Sequence, residues 1–278
     1  MPETPAVESA ESRVRQAEVH VGTSGYSFKD WVGPFYPAGT KPAEQLSYYV
    51  QRFDCLEVNV TYYRVPDAKL LGGMAERTPP DFHFIVKLHG DMTHQRSRDP
   101  ALYRDFGAAL VPLADTGRLR GLLAQFPYGF KNTEENRRFL AEMRERLAPH
   151  PLFVEFRHEG WAVEPVFPWL RQLEAGYVCV DEPQLPGLVP PLVRATTEVG
   201  YVRLHGRNAQ TWFDSGPERG DRYDYLYSED ELREWVARIR QLVLETRTTY
   251  VFFNNCHAGK APANAQAFKE LLAQIGIG

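Results

Sequence analysis

Eight β-like stretches, most of them separated by helical ones, set the strongest constraint on what this chain can fold into. They read in order as residues 19–24, 55–63, 82–89, 120–127, 152–157, 177–183, 201–207 and 250–255, with helical spacing over 43–52, 68–77, 100–113, 132–147, 165–174, 229–245 and 262–275. Strands interleaved with helices pack as parallel βα units, and eight units in about 250 residues is the size of a TIM barrel. The Pro-rich connection 183–200 carries no helical signal. The expected fold is therefore an α/β TIM-type (β/α)8 barrel, irregular in lacking one outer helix between strands six and seven. Residues 1–18 read as a flexible tail and 19–278 as a single domain. An open doubly wound sheet fits less well, because its strands lie under helices on both faces and read as nearly continuous apolar runs.

Here one face of several strands is polar. In residues 201–207, Val202 and Leu204 point one way while Arg203, His205 and Arg207 point the other, since strand side chains alternate with period two. The same parity nominates Ser24, Glu57, Asn59, Lys87, His89, Gln125, Glu155, Arg157, Asp181 and Asn255 as inward residues near strand ends. In a TIM barrel that end carries the active site. Buried ion pairs are costly and often replaceable by apolar packing, so their recurrence on six strands points to a site and not to scaffolding. Glu57, Glu155, Asp181 and His205 are the candidate catalytic groups. Tyr26, Asn59, Lys87, His89, Gln125, Arg157, Arg203, Arg207, Trp212 and Asn255 are the candidate substrate contacts. Residues 208–227 are too long and polar for a simple connection and read as a mobile lid. Aromatic loop residues, among them Trp31, Trp161, Trp212 and Tyr223, can stack on bases or sugars, though Trp31 and Trp161 can equally pack the barrel rim.

A net charge of −4 and a pI near 6.1 exclude a global pull toward nucleic acid or anionic membrane, so anion binding must be local. Cys55, Cys179 and Cys256 are scattered without a C-x-x-C pair, which suits a reducing cytoplasm and gives neither a disulfide framework nor a thiolate zinc site. No apolar run approaches a membrane span. Nothing in the sequence sets an oligomeric state. There is no Walker A, Rossmann glycine pattern or G-x-S-x-G elbow, hence no nucleotide cofactor motif. His89, His94, His158, His205 and His257 fall on or after strand ends and could collect a divalent metal, yet no H-E-x-x-H spacing exists.

Cations and carboxylates on one rim suit an enzyme of hydrolase or lyase type acting on an anionic, phosphate-containing or nucleic-acid-like substrate. Arg203 and Arg207, aided by Lys87, would clamp the anion while Glu155 or Asp181 handles a proton or activates water. Arg203→Ala should then weaken anion binding, and Glu155→Gln should abolish turnover. Two alternatives are a carbohydrate hydrolase using paired carboxylates and a non-catalytic binding module for nucleic acid or a phosphorylated ligand. The blocks GTSGYSFKDWVGPFYP, LEVNVTYYRVP, FIVKLHGDMTH, LLAQFPYGF, VEFRHEGW, YVRLHGR and VFFNNCHAGKAPANA give the chain a close resemblance to the YecE-like family, domain-of-unknown-function family 72. It departs from that family at Tyr26, often tryptophan, and at Val60, commonly serine. The resemblance implies a TIM-barrel-like fold and no established activity.

Overall fold

Strands and helices alternate at the positions the spacing predicts, in a computed structural model that describes residues 17–214 and 222–277. The strands are β1 (Glu18–Thr23), β2 (Cys55–Val58), β3 (His83–Lys87), β4 (Leu119–Gln125), β5 (Leu152–Glu155), β6 (Ala175–Asp181), β7 (Val199–Leu204) and β8 (Thr248–Phe253). The helices are α1 (Pro42–Tyr49), α2 (Ala68–Glu76), α3 (Pro100–Asp115), α4 (Glu134–Arg146), α5 (Val166–Gln172), α6 (Glu229–Leu242) and α7 (Lys260–Gln274), with one further turn over Gly90–Thr93. Every other βα connection carries one of these helices; β6 runs to β7 without one. The expected tail lies outside the described residues up to 16, and its last member, Glu18, already pairs in register with Thr248 of β8.

Local chemistry sets the helix ends. Thr133 caps α4 by accepting from Asn136 N at 3.2 Å, with Glu134 and Glu135 in the first turn and Arg144 and Arg146 in the last, each charge favoured by the helix dipole. Ser228 and Glu231 form a reciprocal capping box on α6. Phe139, Leu140 and Met143 of α4 and Leu232, Trp235, Val236 and Ile239 of α6 are buried, the i, i+3, i+4 stripe of a helix lying on a barrel wall.

All pairings are parallel, in the order β1-β8-β7-β6-β5-β4-β3-β2. The barrel closes between β1 and β2 through a Ser24–Glu57 bridge and the Gly25 N to Glu57 O hydrogen bond of 2.9 Å. That seam needs a glycine: a Cβ on Gly22 would lie 2.5 Å from Cys55 O. The second strand stops at Val58, short of the sequence expectation. Val60–Tyr62 is a 3-10 turn and Val60 is exposed, so the apolar alternation outlasts the strand there.

Side chains fill the barrel in layers, as in a packed core. At the N-terminal end His20, His83 and Tyr250 meet, with His20 and His83 centroids 4.3 Å apart and Tyr250 Oη 2.9 Å from His83 Nδ1. Above them Tyr201 lies between Phe153 (4.9 Å) and Phe252 (5.4 Å). The C-terminal layer is polar. Trp31 and Trp161 are rim packing: both are fully buried, donating to Cys256 O (2.6 Å) and Phe130 O (2.7 Å), and Trp161 stacks on Phe156 at 4.2 Å.

Candidate functional site

Five charged side chains cross the C-terminal layer as a ladder of alternating sign. Glu57 Oε1 accepts from Arg203 Nη2 at 2.6 Å, and Arg203 Nη1 donates to Glu155 Oε2 at 2.5 Å. Glu155 Oε1 lies 2.6 Å from Arg157 Nη2, whose Nη1 donates to Glu182 Oε2 at 2.8 Å. Tyr201 Oη donates to Glu57 Oε2 at 2.6 Å, and Val189 N donates to Glu182 Oε1 at 3.2 Å. Glu57, Glu155 and Glu182 are completely buried and Arg203 is 1% exposed, so each charge rests on its neighbours in the ladder and not on water.

A cavity of about 490 Å³ opens above the ladder, within the range of small-molecule sites. Of the sequence candidates, Asn59, Lys87, Gln125, Arg157, Arg203 and Trp212 line it, while Glu57, Glu155 and His205 lie in the ladder layer. Lys87 Nζ donates to Gln125 Oε1 at 2.9 Å and sits 4.7 Å above the Tyr62 ring. Arg157 lies 5.6 Å under the Trp212 ring. Asn59 Oδ1 is buried with no hydrogen-bond partner. His205 is buried, with Nδ1 2.9 Å from Asn254 Nδ2 and Nε2 3.3 Å from Glu155 Oε1, too poorly aligned to count as a hydrogen bond.

Five candidates lie in neither the cavity wall nor the ladder layer. Asp181 takes the opposite face of the barrel wall, where Arg207 Nε reaches it at 2.9 Å, and its neighbour Glu182 takes the inward place. Arg207 is turned outward too. Gly206, at φ 91°, breaks the strand alternation after His205, and a Cβ there would lie 2.6 Å from Tyr225 Cβ, so only glycine makes this bend. Arg207 is consequently enclosed by Asp181, Glu231 and Glu234. Asn255 bonds outward to Tyr225 O and Asn264 Oδ1, each at 2.9 Å, while Asn254 lines the cavity. His89 caps the turn at Gly90–Thr93, accepting from Asp91 N, and His94 lines the cavity instead. Tyr26 lies toward Tyr49 and Arg77. The lid expectation falls partly on residues 215–221, outside the described residues. The segment's C-terminal part is anchored: Tyr227 N and O both bond Asn264, and Gly206 N donates to Tyr227 Oη at 2.8 Å. Among the described residues no three His, Cys, Asp or Glu side chains are grouped to hold a metal, and no helix is long and apolar enough to cross a membrane.

Parity could have offered Glu182 and Asn254, because each is the chemical near-equivalent of the adjacent residue chosen. Tyr62 and Tyr128 were not among the candidates: Tyr62 reaches the cavity from the 3-10 turn where a strand was expected, and Tyr128 from the turn after β4.

Ionisation follows burial and neighbours. Arg157 and Arg203 hold Glu155 well below the ordinary carboxylate range against the opposing effect of burial, so it stays ionised. Burial pushes Glu182 up to about 7, with Arg157 opposing and Glu155 adding to the rise. Burial, and next the positive Arg203, push Lys87 down to about 7. A cation so disfavoured costs stability at neutral pH, because the unfolded amine keeps its proton up to about pH 10.4. Lys87→Met should therefore stabilise the fold at pH 7.5 by about 1–3 kcal/mol, after subtracting the lost Gln125 bond. Thermal unfolding at that pH would show the rise; a fall would mean the amine is a net structural contributor.

The profile of a family described as "Protein of unknown function DUF72" matches residues 20–276. The chain is 31% identical over 275 residues to the UPF0759 protein YunF of Bacillus subtilis, covering 91% of this chain and 94% of that one. A DUF72 family protein of Thermotoga maritima, of known crystal structure, is 43% identical, superposes with a TM-score of 0.85, and covers 92% of this chain and 99% of its own. One from Enterococcus faecalis shares the fold at 23% identity, with a TM-score of 0.82 over 92% of this chain and 95% of its own.

Proposed function

Because the chain belongs to the DUF72 family, whose description brings no reaction with it, we propose from the site itself an enzyme acting on a small anionic, phosphate-containing ligand at the C-terminal mouth. One observation carries this. Among the described residues, the cavity wall bears Lys87, Arg157, Arg203 and Arg222 and no carboxylate. The acids lie behind the arginines, so an entering ligand meets the cationic side of each pair. Positive potential in a concave, partly desolvated site attracts and holds anions. Tyr62, Tyr63, Tyr128, Trp212, Phe213 and Tyr223 complete the wall and offer ring faces to a flat group such as a nucleobase.

Lys87 is the proton-handling group in this reading, because its shifted amine can gain or lose a proton near neutral pH. Glu155 cannot serve, since two arginines keep it ionised; it fixes their geometry. A carbohydrate hydrolase is disfavoured, because Glu57 and Glu155 are both clasped to Arg203 and neither lines the cavity. In a titration followed by Trp212 fluorescence, adenosine monophosphate and inorganic phosphate should bind competitively, more weakly as salt rises, and roughly tenfold more weakly to Lys87→Met. Chromatography of the bound nucleotide then separates an enzyme from a binding module. No competition between the two at millimolar concentrations would sink the anion site.

A further inference from the structure

We infer that Lys87 is a nucleophile, its Nζ forming an imine with an aldehyde or ketone carried by the anionic ligand; this rests on the anion site proposed above and names its substrate class. The ligand is then a carbonyl compound bearing phosphate or carboxylate.

The placement supports this on three counts. Lys87 ends β3, and Nζ lies on the cavity wall, held by one bond to Gln125 Oε1 over the Tyr62 ring. Among the described residues no carboxylate is within ion-pair distance of it, because Glu57, Glu155 and Glu182 are taken up by Arg203 and Arg157. The chain has 25 arginines and seven lysines. The ladder cations that only need to stay charged are arginines, and the one amine in the layer is the cation that can lose its proton. Arginine cannot.

The free base supplies the electron pair. Nζ attacks the carbonyl carbon, the C–N bond forms, and the carbonyl π pair moves to oxygen. That oxygen gains a proton as nitrogen loses one, giving a carbinolamine, and loss of water leaves the C=N bond with no change in oxidation state. His94 and Asn59 stand on the same wall to pass the proton and hold the departing water. Arg157, under Trp212, is placed to receive the anionic end. Burial brings Lys87 to about 7, so a large share of the amine is unprotonated at neutral pH.

Pyridoxal 5′-phosphate, an aldehyde with a phosphate, is the probe, with pyridoxal as its phosphate-free control; borohydride supplies the hydride that fixes the imine. At pH 7.5 and one equivalent, peptide mapping should find Lys87 labelled at least about tenfold more than any other lysine, including Lys131 over the Tyr128 ring at the rim. The adduct should vanish in Lys87→Met and Lys87→Arg. Inorganic phosphate should slow labelling by pyridoxal phosphate and leave pyridoxal unaffected. Label spread over exposed lysines with Lys87 unmodified, in protein that still binds phosphate, overturns the imine and leaves the anion site standing. Lys87 labelled equally by both aldehydes, without phosphate protection, keeps the nucleophile and removes the anion site.

Discussion

Replacing Arg203 with alanine should destabilise the barrel by about 3–5 kcal/mol, the cost of breaking a buried ion pair from one side. Arg203 is 1% exposed and holds Glu57 and Glu155 at 2.6 and 2.5 Å with Ser24 Oγ at 3.3 Å. Removing it leaves the buried Glu57 and Glu155 carboxyl groups without the guanidinium they share. At the size of this chain that corresponds to a melting temperature lower by roughly 5–10 °C. The first expected effect of Arg203→Ala is therefore a loss of stability through the ladder it maintains, and any change in affinity for the proposed anion has to be read against that loss. Adding Glu57→Gln and Glu155→Gln to an Arg203→Met protein should recover part of the loss, because the uncompensated charges go with their partner. A melting temperature for Arg203→Ala within a degree or two of the parent would show that the ladder is not holding the barrel.

Acid should weaken the fold well before its surface carboxylates titrate. Burial lowers His83 and His94 to about 4 and His205 to about 3, with His20, Lys87 and Arg157 respectively adding to the lowering. Their unfolded values lie near 6.5, so below that pH the unfolded chain binds protons the native chain refuses, and stability falls with pH. At pH 5 each has lost about 2 kcal/mol, or about 6 together. Glu182 runs the other way. Its native value of about 7 exceeds the unfolded value, so its cost at neutral pH is relieved on acidification, returning about 2.5 kcal/mol by pH 5. Lys87, whose native value is also about 7, adds about 1 kcal/mol of loss over the same range. The expected net loss between pH 7.5 and 5 is therefore about 4–5 kcal/mol, and Glu182→Gln, which removes the offset, should raise it to about 7 kcal/mol. Urea midpoints for both proteins at both pH values check this; midpoints that do not move in either protein would mean these histidines are not buried neutral.

Much of the site was legible from parity. Glu57, Lys87, Gln125, Glu155, Arg157, Arg203 and His205 all face inward as read, because each follows an apolar residue whose burial in the wall fixes the phase of its strand. Two of the misplacements share a cause. Asp181 and Glu182 are adjacent and both acidic, as Asn254 and Asn255 are both amides, so alternation identifies two faces without saying which one turns inward. Arg207 was lost to a single bend at Gly206, and His89 to a helical turn that uses its ring as a cap.

The sequence by itself determined the eight-fold strand and helix order, the missing helix between β6 and β7, and the charged character of the barrel's C-terminal layer. Those follow from period and composition, which local steric rules convert directly into elements and faces. Only the tertiary structure decided which charges neutralise one another. Glu57 and Arg203 are 146 residues apart and Arg203 and Glu155 are 48 apart, and their pairing is set by barrel closure and strand stagger. Among the described residues that closure leaves Lys87 with no carboxylate within ion-pair distance and puts the arginines in front of the acids, because in a low-dielectric layer each buried carboxylate takes a guanidinium and leaves the amine to the cavity.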